Sequence, residues 1–120
     1  MYWKAEVPER RQYPRINTTM SIQYRGIRQA SDSVMGAIAR DISSGGIRVL
    51  VNEFVSVFTR LVVEVSVPST PKAVRVISKV AWIQKRPHGE QYEVGMQFLD
   101  MAEEDRRNIA EFVERSIPKQ

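Results

Sequence analysis

The stretch Tyr92-Glu93-Val94-Gly95-Met96-Gln97-Phe98 alternates between two sets of side chains, with Tyr92, Val94, Met96 and Phe98 on one face. Successive side chains of an extended strand point to opposite faces, so this pattern predicts a strand with one buried face. The same alternation predicts strands within residues 20–25, 61–67 and 74–82. Segments 34–42 and 46–51 are rich in β-branched residues and are predicted as strands too.

Turn-forming residues separate these strands at 31–33, 44–46, 68–71 and 87–90. Six strands with short links predict an antiparallel meander, and closure into a small barrel would remove its exposed edges. The period then changes to that of a helix, at about 101–116, with Asp100 as the predicted cap. The predicted fold class is therefore all-β with one C-terminal helix: a six-stranded antiparallel β-barrel. Trp82, in alternation with Val80, is predicted to lie in its core.

The length of 120 residues suits one domain. We interpret residues 1–17, which hold two prolines and no periodicity, as a flexible N-terminal arm, and residues 18–116 as a single barrel domain. The chain has no cysteine. It also has no apolar run long enough for a signal peptide or a membrane span. These features favour a cytoplasmic protein without membrane insertion.

Catalytic chemistry finds little support in the sequence. His88 is the single histidine and lies in a Pro-His-Gly turn, where it cannot form a histidine-based metal site alone. Neither Ser43 nor Ser44 has a histidine partner suggested by sequence, and no phosphate loop or dinucleotide fingerprint is present. We expect no enzyme activity, no catalytic residues, no metal and no cofactor.

Positive charge is concentrated near the start of the chain, in Glu9-Arg10-Arg11-Gln12-Tyr13-Pro14-Arg15. Pro14 disfavours a helix here, so the arginines would converge from a loop. A guanidinium forms paired hydrogen bonds with phosphate or with the edge of guanine, and it stacks on flat rings. The segment is consistent either with an anion-binding loop or with a plain basic arm.

The second polar cluster is Asp41-Ile42-Ser43-Ser44-Gly45-Gly46. Asp41 could accept hydrogen bonds from a guanine, and Ser43 would lie on the same side of an extended backbone. Gly45 and Gly46 allow positive φ and close approach of a ligand. Alternatively, the cluster is a turn that only closes a hairpin, with Asp41 bonding its own backbone.

Taken together, the two clusters resemble the motifs of PilZ domains. Arg11-x-x-x-Arg15 is similar to the RxxxR motif, and Asp41-x-Ser43-x-x-Gly46 is similar to [D/N]xSxxG. The later segments Val80–Trp82 and Val94–Phe98 also resemble strands of this family, so the resemblance covers residues 9–115. It implies a bacterial PilZ-like split barrel that binds the second messenger cyclic di-GMP, a ring with two guanines and two phosphates.

The resemblance implies ligand-binding roles for Arg10, Arg11, Arg15, Asp41, Ser43, Gly45 and Gly46. Arg11 and Arg15 would clamp phosphate and guanine, Asp41 and Ser43 would bond a guanine, and Gly46 would keep the turn tight. Arg10, just before the first motif arginine, favours a stacked pair of messengers. Ligand binding would order the arm and change a surface read by an unidentified protein effector in motility, polysaccharide export or transcription.

Two other functions stay open from the sequence alone. A small basic β-barrel could bind RNA or DNA through its basic front, although the chain lacks the aromatic-basic interleaving that reads single strands, so nucleic acid is not the expected partner. A PilZ-like scaffold could instead bind only protein. Such scaffolds usually lack motif residues, and this chain has both motifs complete.

Overall fold

The computed structural model describes residues 15–27 and 34–117. These contain six strands and one helix: β1 (Arg15–Gly26), β2 (Met35–Ser43), β3 (Gly46–Val51), β4 (Arg60–Val65), β5 (Val74–Lys85), β6 (Tyr92–Met101) and α1 (Glu103–Ser116). All six strands pair antiparallel and close into a barrel in the order β1-β2-β3-β6-β5-β4. The predicted fold class is confirmed.

The strand order corrects the predicted meander. β3 pairs with β6 and β1 pairs with β4, so the chain crosses the barrel end between β3 and β4 instead of forming a third consecutive hairpin. The crossover, residues 52–59, is held at both ends. Tyr24 Oη donates to Glu53 Oε2 at 2.8 Å, and Phe58 N donates to the Val80 carbonyl at 2.7 Å. Closure in this order gives each of the six strands a hydrogen-bonded neighbour on both sides.

The barrel interior is filled by aliphatic side chains from every strand, which explains the sequence alternation. Fully buried members are mainly valines and isoleucines: Ile42, Ile47, Val49, Val51, Val63, Val65, Val74, Val76, Val80 and Val94. Helix α1 adds Ile109 and Val113 to the same core. The apolar face of the helix is thereby buried against the barrel, as layer packing requires.

Two predictions about the termini of elements are wrong. β1 begins at Arg15, so residues 15–17, predicted as the end of the arm, belong to the barrel. Asp100 does not cap the helix, because it is still part of β6 and pairs with Ile77 of β5. The cap position is Ala102, which makes no side-chain cap hydrogen bond. The first helical turn contains three acidic residues, Glu103, Glu104 and Asp105, whose charge suits the positive end of the helix dipole. No helix in the described ranges has the length and apolar character needed to cross a bilayer.

The sequence pattern predicts Trp82 in the core, but Trp82 is 41% exposed. The pairing of β5 with β6 shifts by one residue between Val80 and Trp82, which makes Ala81 an extra residue in β5. Such a bulge moves every later side chain to the opposite face. Trp82 therefore lies on the outer surface, opposite Gly95 of β6, while Val80 stays buried.

Candidate functional site

A second bulge places Asp41 on the outside of the barrel. The pairing of β2 with β3 shifts between Ala39 and Asp41, so Arg40 is the extra residue. Ala39 and Ile42 both face the core, three residues apart, and Asp41 faces outward between neighbouring strands. It lies opposite Asn17 on one side and Arg48 on the other.

These pairings continue into a single row across the barrel. Arg48 of β3 lies opposite Gly95 of β6, which in turn lies opposite Trp82 of β5. The row therefore runs from Asn17 through Asp41, Arg48 and Gly95 to Trp82, over five of the six strands. Neighbouring strands are about 4.8 Å apart, so the row brings together side chains that are far apart in sequence.

The row forms the floor of a cleft of about 680 Å³. That volume is typical of a site for a small organic ligand. The cleft is lined by one arginine from β1, the row itself, the turn between β2 and β3, and neighbours on β3, β5 and β6: Arg15, Asn17, Asp41, Gly45, Ile47, Arg48, Ala81, Trp82, Gly95, Met96 and Gln97.

Asp41 is the centre of an ion-pair network. Its carboxylate accepts a hydrogen bond from Arg15 through one oxygen and from Arg48 Nε, at 2.7 Å, through the other. Arg48 also donates through Nη1 to Glu93 Oε2 at 2.7 Å. Asp41 is only 4% exposed, and the two arginines compensate the cost of burying its charge. The alternative in which Asp41 bonds its own backbone is not observed.

Ser43 has a different role from Asp41. It is buried, and its Oγ accepts hydrogen bonds from the backbone N–H groups of Gly45 and Gly46 at 3.1 and 3.2 Å. The hydroxyl thus closes the turn between β2 and β3. Ser43 is not among the residues that line the cleft, whereas Gly45 is.

Gly46 is required for a reason other than the predicted one. Neither Gly45 nor Gly46 has a positive φ; among the described glycines that conformation occurs at Gly89. A Cβ at Gly46 would instead lie 2.5 Å from the backbone oxygen of Met96. The missing side chain therefore permits close approach of β3 and β6 at the edge of the cleft.

Gly95 makes room for Trp82. A Cβ at Gly95 would lie 2.9 Å from Cδ1 of the Trp82 indole and closer still to Nε1 and Cε2. The indole therefore lies directly over the Gly95 backbone, in the space that a side chain would fill. Trp82 is 41% exposed and lines the cleft, so part of the indole is open to a ligand there.

The structure brings together Arg15, Asp41 and Gly45 of the predicted site residues, with Gly46 beside them. Arg10 and Arg11 lie outside the described residues.

Sequence reasoning missed Arg48, Glu93 and Trp82. A signal existed for Arg48: a hairpin turn of two residues, Ser44 and Gly45, pairs Ile42 with Ile47 and hence Asp41 with Arg48. In the described parts of the chain, no group of three or more His, Cys, Asp or Glu residues could hold a metal ion.

Several solved structures share this fold at low sequence identity. The Bacillus subtilis inhibitor of motility, MotI/DgrA, matches with a TM-score of 0.74 and 20% identity, over 88% of this chain and 50% of that one. The PilZ domain of Escherichia coli YcgR, solved with c-di-GMP, matches with a TM-score of 0.67 and 17% identity, over 89% and 91% of the chains. The MrkH–c-di-GMP complex of K. pneumonia matches with a TM-score of 0.66 and 16% identity, over 88% and 51%.

This chain thus spans about half the length of MotI/DgrA and of MrkH. A search of curated proteins finds no match. The family model described as PilZ domain matches residues 9–115, nearly the whole sequence. The chain belongs to the PilZ domain family.

Proposed function

We propose that this protein is a receptor for cyclic di-GMP and that the cleft is its binding site. The observation that carries the proposal is the convergence of Arg15, Asp41, Arg48 and Trp82 on one cleft of about 680 Å³. Cations, a carboxylate and an exposed aromatic face are the groups that a cyclic dinucleotide requires, since it offers phosphates, guanine edges and flat rings. The proposal assigns no catalytic step to these residues.

Asp41 keeps acceptor capacity for a guanine although two arginines already bind it. A carboxylate has about four lone-pair sites, and the described arginines occupy one on each oxygen. The N1–H and N2–H donors of guanine can fill the others. Arg15 and Arg48 fix the carboxylate from both sides, so it does not have to be immobilised when the ligand binds.

Trp82 supplies a stacking surface within the same row. A base stacked on an aromatic side chain contributes about 1–3 kcal/mol to binding. The indole lies over the backbone of Gly95, which has no side chain to displace it. A guanine lying on its open face would point its edge along the row toward Arg48 and Asp41.

Chain connectivity to β1 limits how far Arg10 and Arg11 can lie from the cleft. Arg15, the first residue of β1, already lies in the cleft. Four intervening peptide units span at most about 14 Å, so Arg11 is within reach of a ligand bound there. We include Arg10 and Arg11 in the proposed site, and we infer that binding increases the amide-exchange protection of residues 8–17. This ordering would change the surface of the protein, and a protein partner in the bacterial cytoplasm would bind the changed surface.

Calorimetric titration with cyclic di-GMP, with GMP as the control ligand, tests the proposal. Arg11→Ala and Asp41→Asn should each weaken binding by about 1.5–3 kcal/mol, because a charged partner loses its pair. Arg75→Ala is the matched control, since Arg75 forms an exposed pair with Glu64 and does not line the cleft. Equal affinity for GMP, or length-dependent binding of oligonucleotides with a steep salt slope, would refute the proposal.

A further inference from the structure

Arg48 is held between two carboxylates. Its Nε donates to Asp41 and its Nη1 donates to Glu93, both at 2.7 Å. The Arg48 side chain is 35% exposed and lines the cleft, whereas the Glu93 side chain is 15% exposed and does not line it. Glu93 therefore binds Arg48 without itself lining the cleft.

The described charges of this network cancel. Arg15 and Arg48 carry two positive charges, and Asp41 and Glu93 carry two negative charges. A ligand with two phosphates would thus meet a cluster of zero net charge in this part of the chain. Its phosphate oxygens must compete with carboxylates for the guanidinium groups, and Asp41 is needed for the guanine. Glu93 is the carboxylate that contributes charge without a place in the cleft.

We propose that Glu93 is an internal counter-anion that competes with a ligand phosphate for Arg48 and thereby lowers the affinity of the cleft. This inference rests on the proposed cyclic di-GMP site. On binding, Arg48 keeps its Nε bond to Asp41 and transfers Nη1 from Glu93 to a phosphate oxygen. A guanidinium has five N–H donors in one rigid plane on a flexible stem, so a small tilt of the whole group about its Nε hydrogen bond moves Nη1 away from Glu93.

Glu93→Gln is the direct test. The amide oxygen of glutamine can still accept a hydrogen bond from Arg48, so the guanidinium stays oriented while one negative charge is lost. We expect cyclic di-GMP to bind about 3- to 30-fold more tightly, because the phosphate then displaces a hydrogen bond between Arg48 and a neutral amide instead of a charge-assisted one. The affinity should also fall more steeply with added salt.

Glu64→Gln is the matched control. It makes the same change in net charge at an exposed ion pair with Arg75. Glu64 lies on β4, the one strand that contributes no residue to the cleft. The affinity of the Glu64→Gln variant for cyclic di-GMP should stay within about twofold of that of the unsubstituted protein, because exposed charges far from a ligand are screened.

A double variant locates the effect at Arg48. In an Arg48→Ala background, Glu93→Gln should give no gain, because the competition requires the guanidinium. The carboxyl carbon signal of Glu93, followed by NMR in the unsubstituted protein, should shift when cyclic di-GMP binds. This second readout does not depend on how well any variant folds.

Four results would overturn the inference: unchanged or weaker binding by Glu93→Gln, an equal gain from Glu64→Gln, a gain that persists without Arg48, or an unshifted Glu93 carboxyl signal. If the unsubstituted protein binds cyclic di-GMP and one of these is found, the counter-anion role alone fails. If the unsubstituted protein does not bind cyclic di-GMP, the proposed function fails and this inference fails with it.

Discussion

Replacement of Gly95 by alanine should remove the aromatic platform of the cleft while leaving the barrel folded. The added Cβ would lie 2.9 Å from Cδ1 of Trp82 and closer to Nε1 and Cε2. Carbon atoms in ordinary contact are about 3.5–4.0 Å apart, so the indole must move by about 1 Å or more. Because Trp82 is on the surface, it can swing outward into solvent without moving the backbone.

The expected magnitudes differ for stability and for binding. Loss of the indole contact is offset in part by the lower unfolded-state entropy of alanine, which contributes about 0.4–1 kcal/mol. We expect the free energy of unfolding to change by less than about 1 kcal/mol. A stacked base is worth about 1–3 kcal/mol, so the affinity for cyclic di-GMP should fall by about 5- to 150-fold.

Tryptophan fluorescence and calorimetry together test this prediction. The chain has two tryptophans, so a Trp3→Phe background makes Trp82 the sole reporter. Its emission should shift to longer wavelength in Gly95→Ala, as the indole becomes more hydrated. Gly36→Ala is the control, because a Cβ at Gly36 meets nothing within 4 Å. Unchanged emission and unchanged affinity in Gly95→Ala would refute the role of this glycine and of the indole that it supports.

Three further predictions concern stability, each measured by denaturant unfolding. Gly46→Ala should destabilise the fold by about 1–3 kcal/mol or more, since its Cβ would meet the Met96 backbone oxygen, which cannot rotate away. Ser78→Ala should stabilise it by about 1 kcal/mol, because the Ser78 hydroxyl is fully buried and has no hydrogen-bond partner among the described residues. Burial, and then the hydrogen bond to Glu53, raise the pKa of Tyr24 well above its usual value. The folded state therefore disfavours tyrosinate, and stability should be fully present below about pH 10 and decline at higher pH, with less decline in Tyr24→Phe.

Each of these predictions has a contradicting result. Wild-type stability of Gly46→Ala would mean that β3 and β6 can separate without cost. Loss of stability in Ser78→Ala would mean that its hydroxyl has a partner in solution. Identical alkaline profiles of the unsubstituted protein and Tyr24→Phe would mean that Tyr24 titrates as an exposed tyrosine does.

The strands and the core were predictable from the sequence because alternation is a local signal. Val94 and Met96 face the barrel interior as their pattern indicates, and valine-rich segments fill it. The proximity of Arg15 and Asp41 was predictable only through the resemblance to PilZ motifs. Spacing within one segment carries no information about which distant strand lies beside it.

The parts that could not be predicted depend on bulges and on strand order. One extra residue at Ala81 moves Trp82 from the predicted core to the cleft, and nothing in the local pattern signals that insertion. The contact of Glu93 with Arg48 requires β6 to neighbour β3, which follows from the crossover between β3 and β4. A meander would have placed β4 there instead. The cleft thus forms only when the barrel closes. The register of the paired strands decides which residues line it.

Mapping of cyclic di-GMP by ¹⁵N–¹H NMR titration tests the central claim most directly. The account predicts that the largest shifts fall along the row from Asn17 through Asp41, Arg48 and Gly95 to Trp82, including the indole N–H, while signals of β4 stay nearly fixed. Shifts centred on β4, or no shifts along the row at saturating ligand, would contradict it.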